Sequence, residues 1–160
     1  MKSSQVFAGF MLLIFISNDG LAGNYLYVKD ITMYLNEADA TFHLNYTLDT
    51  FTKIYVLALG SRHIQPDLAS MFGNFNDIRI EGVDYKSATI LAAKAGKYNG
   101  SHYLFDSRPL EIGENILQNR IERFRVIYPD ELNQTFYNIS CTPEVFYMPG
   151  KSTPLSNQLI

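Results

Sequence analysis

The stretch Thr41 to Gly60, TFHLNYTLDTFTKIYVLALG, restricts the fold of this chain more than any other. Phe42, Leu44, Tyr46 and Leu48 take alternate positions, with Thr41, His43, Asn45, Thr47 and Asp49 between them. A period of two is the pattern of a strand with one covered face and one wet face. From Ile54 to Leu59 every residue is apolar, with β-branched and aromatic side chains among them, which predicts a second strand covered on both faces. The polar break Asp49 to Thr52 then predicts a hairpin between the two halves.

The N-terminal end has a different character. Lys2 precedes Val6 to Ile16, eleven consecutive apolar or glycine residues, and a polar break at Ser17 to Gly20 leads to the small residues Ala22 and Gly23. That order of charged, apolar and small-residue regions is the order of a secretory signal peptide, with cleavage after Ala22 or Gly23. A spanning helix needs about twenty apolar residues to cross roughly 30 Å of hydrocarbon, and this run is near half that. The alternative is an uncleaved membrane anchor through residues 6–23. Leu21-Ala22-Gly23 also starts like a lipoprotein signal, but Asn24 stands where that chemistry requires a cysteine. The expected organisation is a signal peptide at 1–23, one β-rich domain at 24–148 and a loose polar tail at 149–160. The location is extracytoplasmic, secreted or in the cell envelope.

Charge narrows the partners. With 13 Lys and Arg against 16 Asp and Glu, the formal charge is −3, whereas nucleic-acid modules are usually basic. Arg120, Arg123 and Arg125, with Glu122 among them, read as a solvated strand, so no nucleic-acid partner is expected. Cys141 is the one cysteine, so no intrachain disulfide can form and the fold must rest on its core. The 47% hydrophobic composition supplies one. Cys141 itself is expected to be buried as a small apolar residue, the alternative being a bridge between chains.

Along the chain, Tyr25 to Leu35 alternates as a strand, and Asn36 to Ala40 reads as a loop. Three strands, Tyr25 to Leu35, Thr41 to Leu48 and Lys53 to Leu59, predict an antiparallel meander with the third near its centre. Ile64, Leu68, Met71 and Phe72 form a helical stripe, with Pro66 and Asp67 in its first turn and Gly73 at its end. It is the one helix expected. Further strands are predicted around Ile78 to Val83, Ala88 to Ala95, His102 to Asp106, Arg120 to Tyr128, Gln134 to Cys141 and Val145 to Tyr147. A turn falls at Gly96 to Ser101, another at Asp106 to Pro109, and Glu111 to Gln118 is ambiguous. The fold class is mainly β, an antiparallel two-layer β-sandwich with one short helix. The alternative is an α+β domain in which the helix covers one antiparallel sheet.

Candidate sites are few. Asn45, Asn99, Asn133 and Asn138 each begin an Asn-x-Ser/Thr acceptor pattern for glycosylation. Asn45 and Thr47 lie on the polar side of their strand, and Asn99 lies in a turn. Tyr103, Phe105, Asp106 and Arg108 form the densest mixture of aromatic and charged residues, a candidate ligand edge. His43, His63 and His102 are scattered without the spacing of metal ligands, and no metal or other cofactor is expected. Leu59-Gly60-Ser61-Arg62-His63 lacks the second glycine of a nucleophile elbow. The acids Asp77, Glu81, Asp84, Asp106, Glu111 and Glu114 show no spacing that selects a catalytic pair.

The run DITMYLNEADATFHLNYTLDTFTKIYVLALGSR, with YLFDSRPL and YPDELNQTFYN, resembles uncharacterised exported β-rich proteins of methanogenic archaea. That resemblance implies a secreted or cell-envelope protein in which Asn-x-Ser/Thr sites are glycosylated, and it brings no catalytic residue. The function expected is therefore a non-enzymatic exported domain with a binding or structural role, its partner an envelope protein or a glycan. Membrane contact is expected only if the N-terminal segment is retained, and self-association into a homo-oligomer is allowed. The alternatives are a small extracytoplasmic hydrolase whose acids come from separate strands, and a carbohydrate-binding module built on tyrosines.

Overall fold

A computed structural model describes residues 25–110 and 120–149. Residues 1–24, where the signal peptide is expected, residues 111–119 with the ambiguous Glu111 to Gln118, and the tail beyond Pro149 lie outside the described residues. Nine strands are described: β1 (Leu26–Asn36), β2 (Asp39–Leu48), β3 (Asp77–Val83), β4 (Ser87–Ala93), β5 (Lys97–Tyr98), β6 (Tyr103–Phe105), β7 (Ile121–Ile127), β8 (Asn133–Ile139) and β9 (Val145–Tyr147). Between β2 and β3 stand helix α1 (Thr50–Leu59), a 3-10 turn (Ser61–His63) and helix α2 (Gln65–Met71).

The fold is mainly β and sandwich-like, built from two open sheets. The larger has six strands in the order β3-β4-β2-β1-β7-β8, and the smaller has the order β5-β6-β9. All pairings are antiparallel except β1 with β7, which run parallel.

The period-two reading of β2 is what the structure contains. Phe42, Leu44 and Tyr46 are buried while His43, Asn45 and Thr47 are exposed. β1 obeys the same rule with one slip. The register shifts between Val28 and Asp30, so Leu26 and Val28 face inward on one parity and Ile31, Met33 and Leu35 on the other. A bulge at Lys29 absorbs the extra residue and keeps both halves of the strand in one core.

The inner face of the large sheet is covered by two units. Ile64, Leu68, Met71 and Phe72, the stripe expected of α2, are all buried. Phe72 and the following Phe75 bring their rings to 4.6 and 5.4 Å from that of Phe42, so α2 seats its C-terminal end on the middle of β2. The small sheet covers the end near the β1–β2 turn. Tyr147 of β9 donates its hydroxyl to the Glu37 carbonyl at 2.9 Å and stacks on Phe105 at 6.3 Å. Burial and then the nearby Tyr103 phenol push the Tyr147 phenol up to about 12. Gly96 donates its N–H to Ala38 O at 2.8 Å and lies flat against the Phe105 ring.

Six expectations change. Ile54 to Leu59 is not a strand but the second half of α1, and Asp49 to Thr52 is not a hairpin but the start of that helix. The centre of the large sheet is consequently β2 and β1 rather than a third strand of a meander. There are two short helices among the described residues instead of one, and β1 gains a parallel neighbour. Within the turn placed at Gly96 to Ser101, Lys97 and Tyr98 form β5 against β6.

The contact between Gly96 and Phe105 is a sensitive test of how the small sheet docks. A Cβ added at Gly96 would lie 2.8 Å from the Phe105 ring. G96A is expected to destabilise the chain by about 1–3 kcal/mol through overpacking. Measured by denaturant unfolding, that penalty should shrink in an F105L background, and equal penalties in both backgrounds would place Phe105 elsewhere.

Candidate functional site

The surface that departs most from an ordinary domain exterior is α1. It begins where β2 ends. Asp49 accepts the N–H groups of Phe51 and Thr52 on Oδ1 at 2.8 and 2.9 Å and the Thr52 hydroxyl on Oδ2 at 2.8 Å. A side-chain acceptor at this position satisfies amides that a helix start leaves unpaired. Gly60 closes the other end with φ 91°, a backbone that side chains oppose, and returns its N–H to Val56 O at 2.9 Å. Caps at both ends hold ten residues, TFTKIYVLAL, in a helix about 15 Å long at 1.5 Å per residue.

Of these ten residues only Val56 is buried. Phe51 is 86% exposed, Ile54 60%, Leu57 61% and Leu59 69%, and Tyr55 is exposed beside them. Phe51, Ile54, Tyr55 and Ala58 fall at i, i+3, i+4 and i+7, on one face, with Leu57 and Leu59 at its flanks. Covering one such side chain completely is worth roughly 1.5–3 kcal/mol, so the patch holds a large unspent hydrophobic free energy. Scattered exposed apolar residues need no account, but a contiguous set marks an interaction surface.

The rim of the patch is aromatic and cationic. The Tyr55 ring lies 5.1 Å from His63, which in turn lies 6.5 Å from Tyr25. Lys53 and Lys86 place their ammonium groups 5.4 and 5.7 Å from the centre of the Tyr85 ring, within reach of cation–π attraction. Arg62 and His63 follow in the turn after α1. The chain also enters the domain here, because Tyr25 O accepts the N–H of Asp49 at 2.9 Å.

The residues singled out as a ligand edge do not converge. Phe105 is buried under the small sheet, and Tyr103 lies between Tyr98 and Tyr147, with ring centres at 4.8 and 5.4 Å. Asp106 pairs with Lys97 at 2.7 Å. Arg108 lies 4.7 Å over the Phe75 ring and donates to Asn74 O, so it pins the 107–110 segment to the end of α2. Beside Leu104 there is a shallow open depression of about 200 Å³ lined by Asn99, His102, Leu104 and Phe146.

The acceptor asparagines Asn45, Asn99, Asn133 and Asn138 are all exposed. Asn99 turns its Oδ1 toward the N–H groups of Ser101 and His102 at 3.1 and 2.9 Å. Asn138 takes a left-handed backbone, φ 55°. The four carboxylate candidates inside the described residues are apart. Asp77 lies 3.9 Å from Arg79, Asp106 is held by Lys97, Asp84 accepts the N–H groups of Lys86 and Ser87, and Glu81 occupies the irregularity between Ile80 and Gly82. Among the described residues, no group of three or more His, Cys, Asp or Glu side chains is placed to hold a metal ion. Cys141 is half-buried, bridged through its backbone to Pro109.

The outer face of the large sheet carries a second, more polar set. Arg123 Nε pairs with Asp30 Oδ1 at 2.8 Å, Tyr27 donates to Glu122 at 3.1 Å, and the rings of Tyr34 and His43 meet at 4.9 Å. Comparison of the chain with protein-family models, with curated proteins and with solved structures found no match to any of them.

The composition of residues 54–59 concealed α1, yet Asp49 and Gly60 carried its signature. The N–H of Thr52 first, then the Thr52 hydroxyl and the Phe51 N–H, hold the Asp49 carboxyl below its usual 3.8. A carboxylate with a depressed folded pKa stabilises the chain above its unfolded value and loses that contribution as pH falls through the folded one. D49A is therefore expected to cost about 0.5–2 kcal/mol at neutral pH. The difference from the parent chain should fade below pH 3.8 when unfolding is followed by circular dichroism.

Proposed function

We propose that this chain is an exported, non-enzymatic domain of the cell envelope that works by docking the apolar side of α1 against a partner. The observation that carries the proposal is the capped helix with Phe51, Ile54, Tyr55, Leu57 and Leu59 turned to solvent. Export is supported by the sequence of residues 1–23, and the exposed acceptor asparagines fit an extracytoplasmic surface. A retained N-terminal segment would make the protein membrane-anchored instead of secreted.

A tyrosine-based glycan site is the second reading. It draws on the exposed rings of Tyr27, Tyr34 and Tyr137 on the strands of the large sheet. Tyr27 and Tyr34 lie seven residues apart on β1, roughly 23 Å at 3.3 Å per residue, and each already has a protein partner in Glu122 and His43. The α1 surface is the more concentrated of the two.

The test is cell fractionation with mass spectrometry. The protein is expected in the extracytoplasmic envelope fraction with its first residue at Gly23 or Asn24, and the double variant I54D and L57D is expected to leave that fraction while keeping the parent circular dichroism spectrum. A cytoplasmic protein would overturn export, and equal retention of the variant would overturn α1 as the docking surface.

A further inference from the structure

Resting on the docking role of α1, we infer that its partner is the surface of a lipid bilayer, in which the helix lies parallel to the membrane plane with Phe51, Ile54 and Tyr55 turned into the lipid and Leu57 and Leu59 along its two flanks. Three observations lead there. The first is where the chain enters the domain. The Tyr25 carbonyl holds the N–H of Asp49 at 2.9 Å, the residue that caps α1. Cleavage that leaves Gly23 or Asn24 as the first residue puts a positively charged α-amino group one or two residues ahead of Tyr25, so the entry to the domain beside α1 carries a cation that suits an anionic headgroup.

The second observation is the chemistry of the patch. From Thr50 to Leu59 there is no acidic side chain, and Lys53 is the one charge. The rim of Tyr25 and Tyr85 with Lys53, Arg62 and Lys86 is the composition of a membrane interface, where amphipathic rings and long cationic side chains reach the headgroups. A helix of this kind sits about 5–10 Å into the boundary between headgroups and acyl chains.

The third is shape and size. A specific protein interface takes about 800 Å² and 20–30 residues from each partner. Here five large side chains stand on one projecting helix. That is too little for a stable pair of copies and suits insertion into a fluid.

The chain contains no tryptophan, so L57W in the full chain provides a single indole reporter. It is reconstituted in vesicles of phosphatidylcholine with phosphatidylglycerol, with and without bromine on the upper acyl chain. The expected result is emission shifted to shorter wavelength and quenched by the bromine. The indole of Y137W should stay water-like, because β8 is separated from β2 by β1 and β7. Adding I54D to L57W should abolish both the shift and the quenching. A shifted but unquenched L57W emission would mean that protein, a second copy or the chain's own segment, covers α1; the lipid inference fails and the docking role stands. Water-like L57W emission in the vesicle-bound chain would overturn the lipid inference and leave the docking role to the fractionation of the I54D and L57D variant.

Discussion

The Asp49 carboxylate stands where two periodicities meet. Before it, β2 alternates inward and outward side chains on a pleat; after it, the same chain coils with 3.6 residues per turn. Its oxygens take the first free amides of α1, and its own N–H is held by Tyr25 O at the start of β1. One residue thereby ends the central hairpin, starts a helix and ties both to the point where the chain enters. Without this cap the run from Ile54 to Leu59 has the side chains of a buried strand, and the large sheet would have an excess strand to accommodate.

With the chain diverted, α2 can reach the sheet that α1 leaves. The 3-10 turn Ser61–His63 and Pro66 redirect the backbone so that Ile64, Leu68, Met71 and Phe72 point inward. Their packing on Phe42, together with the small sheet on the Glu37 end, closes one continuous apolar core. Of the α1 side chains, only Val56 enters it. The exposed patch is thus a consequence of a core already filled by other elements, and it persists because two good caps make the helix stable without burial.

How much of this was legible depended on whether a signal was local. The alternation in β1 and β2, the stripe of α2 and the turn at Asn99-Gly100 are local patterns, and each corresponds to what is there. The bulge at Lys29 was hidden because both parities of β1 carry apolar residues. The parallel pairing of β1 with β7 joins Asp30 to Arg123 across most of the chain, and no local pattern specifies it. For α1, β-branched and aromatic composition outweighed the cap residues, although a polar N-cap and a terminal glycine are the sharper physical evidence of a helix. The ligand edge was dense in sequence only: alternation along β6 sends neighbours to opposite sides, so Phe105 entered the core while Asp106 met Lys97.

A helix held off the sheet at Asp49 is most directly tested by the backbone chemical shifts of residues 39–60 in the full chain. Extended shifts from Asp39 to Leu48 should give way at Asp49 to helical shifts from Thr50 to Leu59, with amide protection in α1 lower than in β1 and β2. Extended shifts over Ile54 to Leu59, protected as strongly as the central strands, would contradict it.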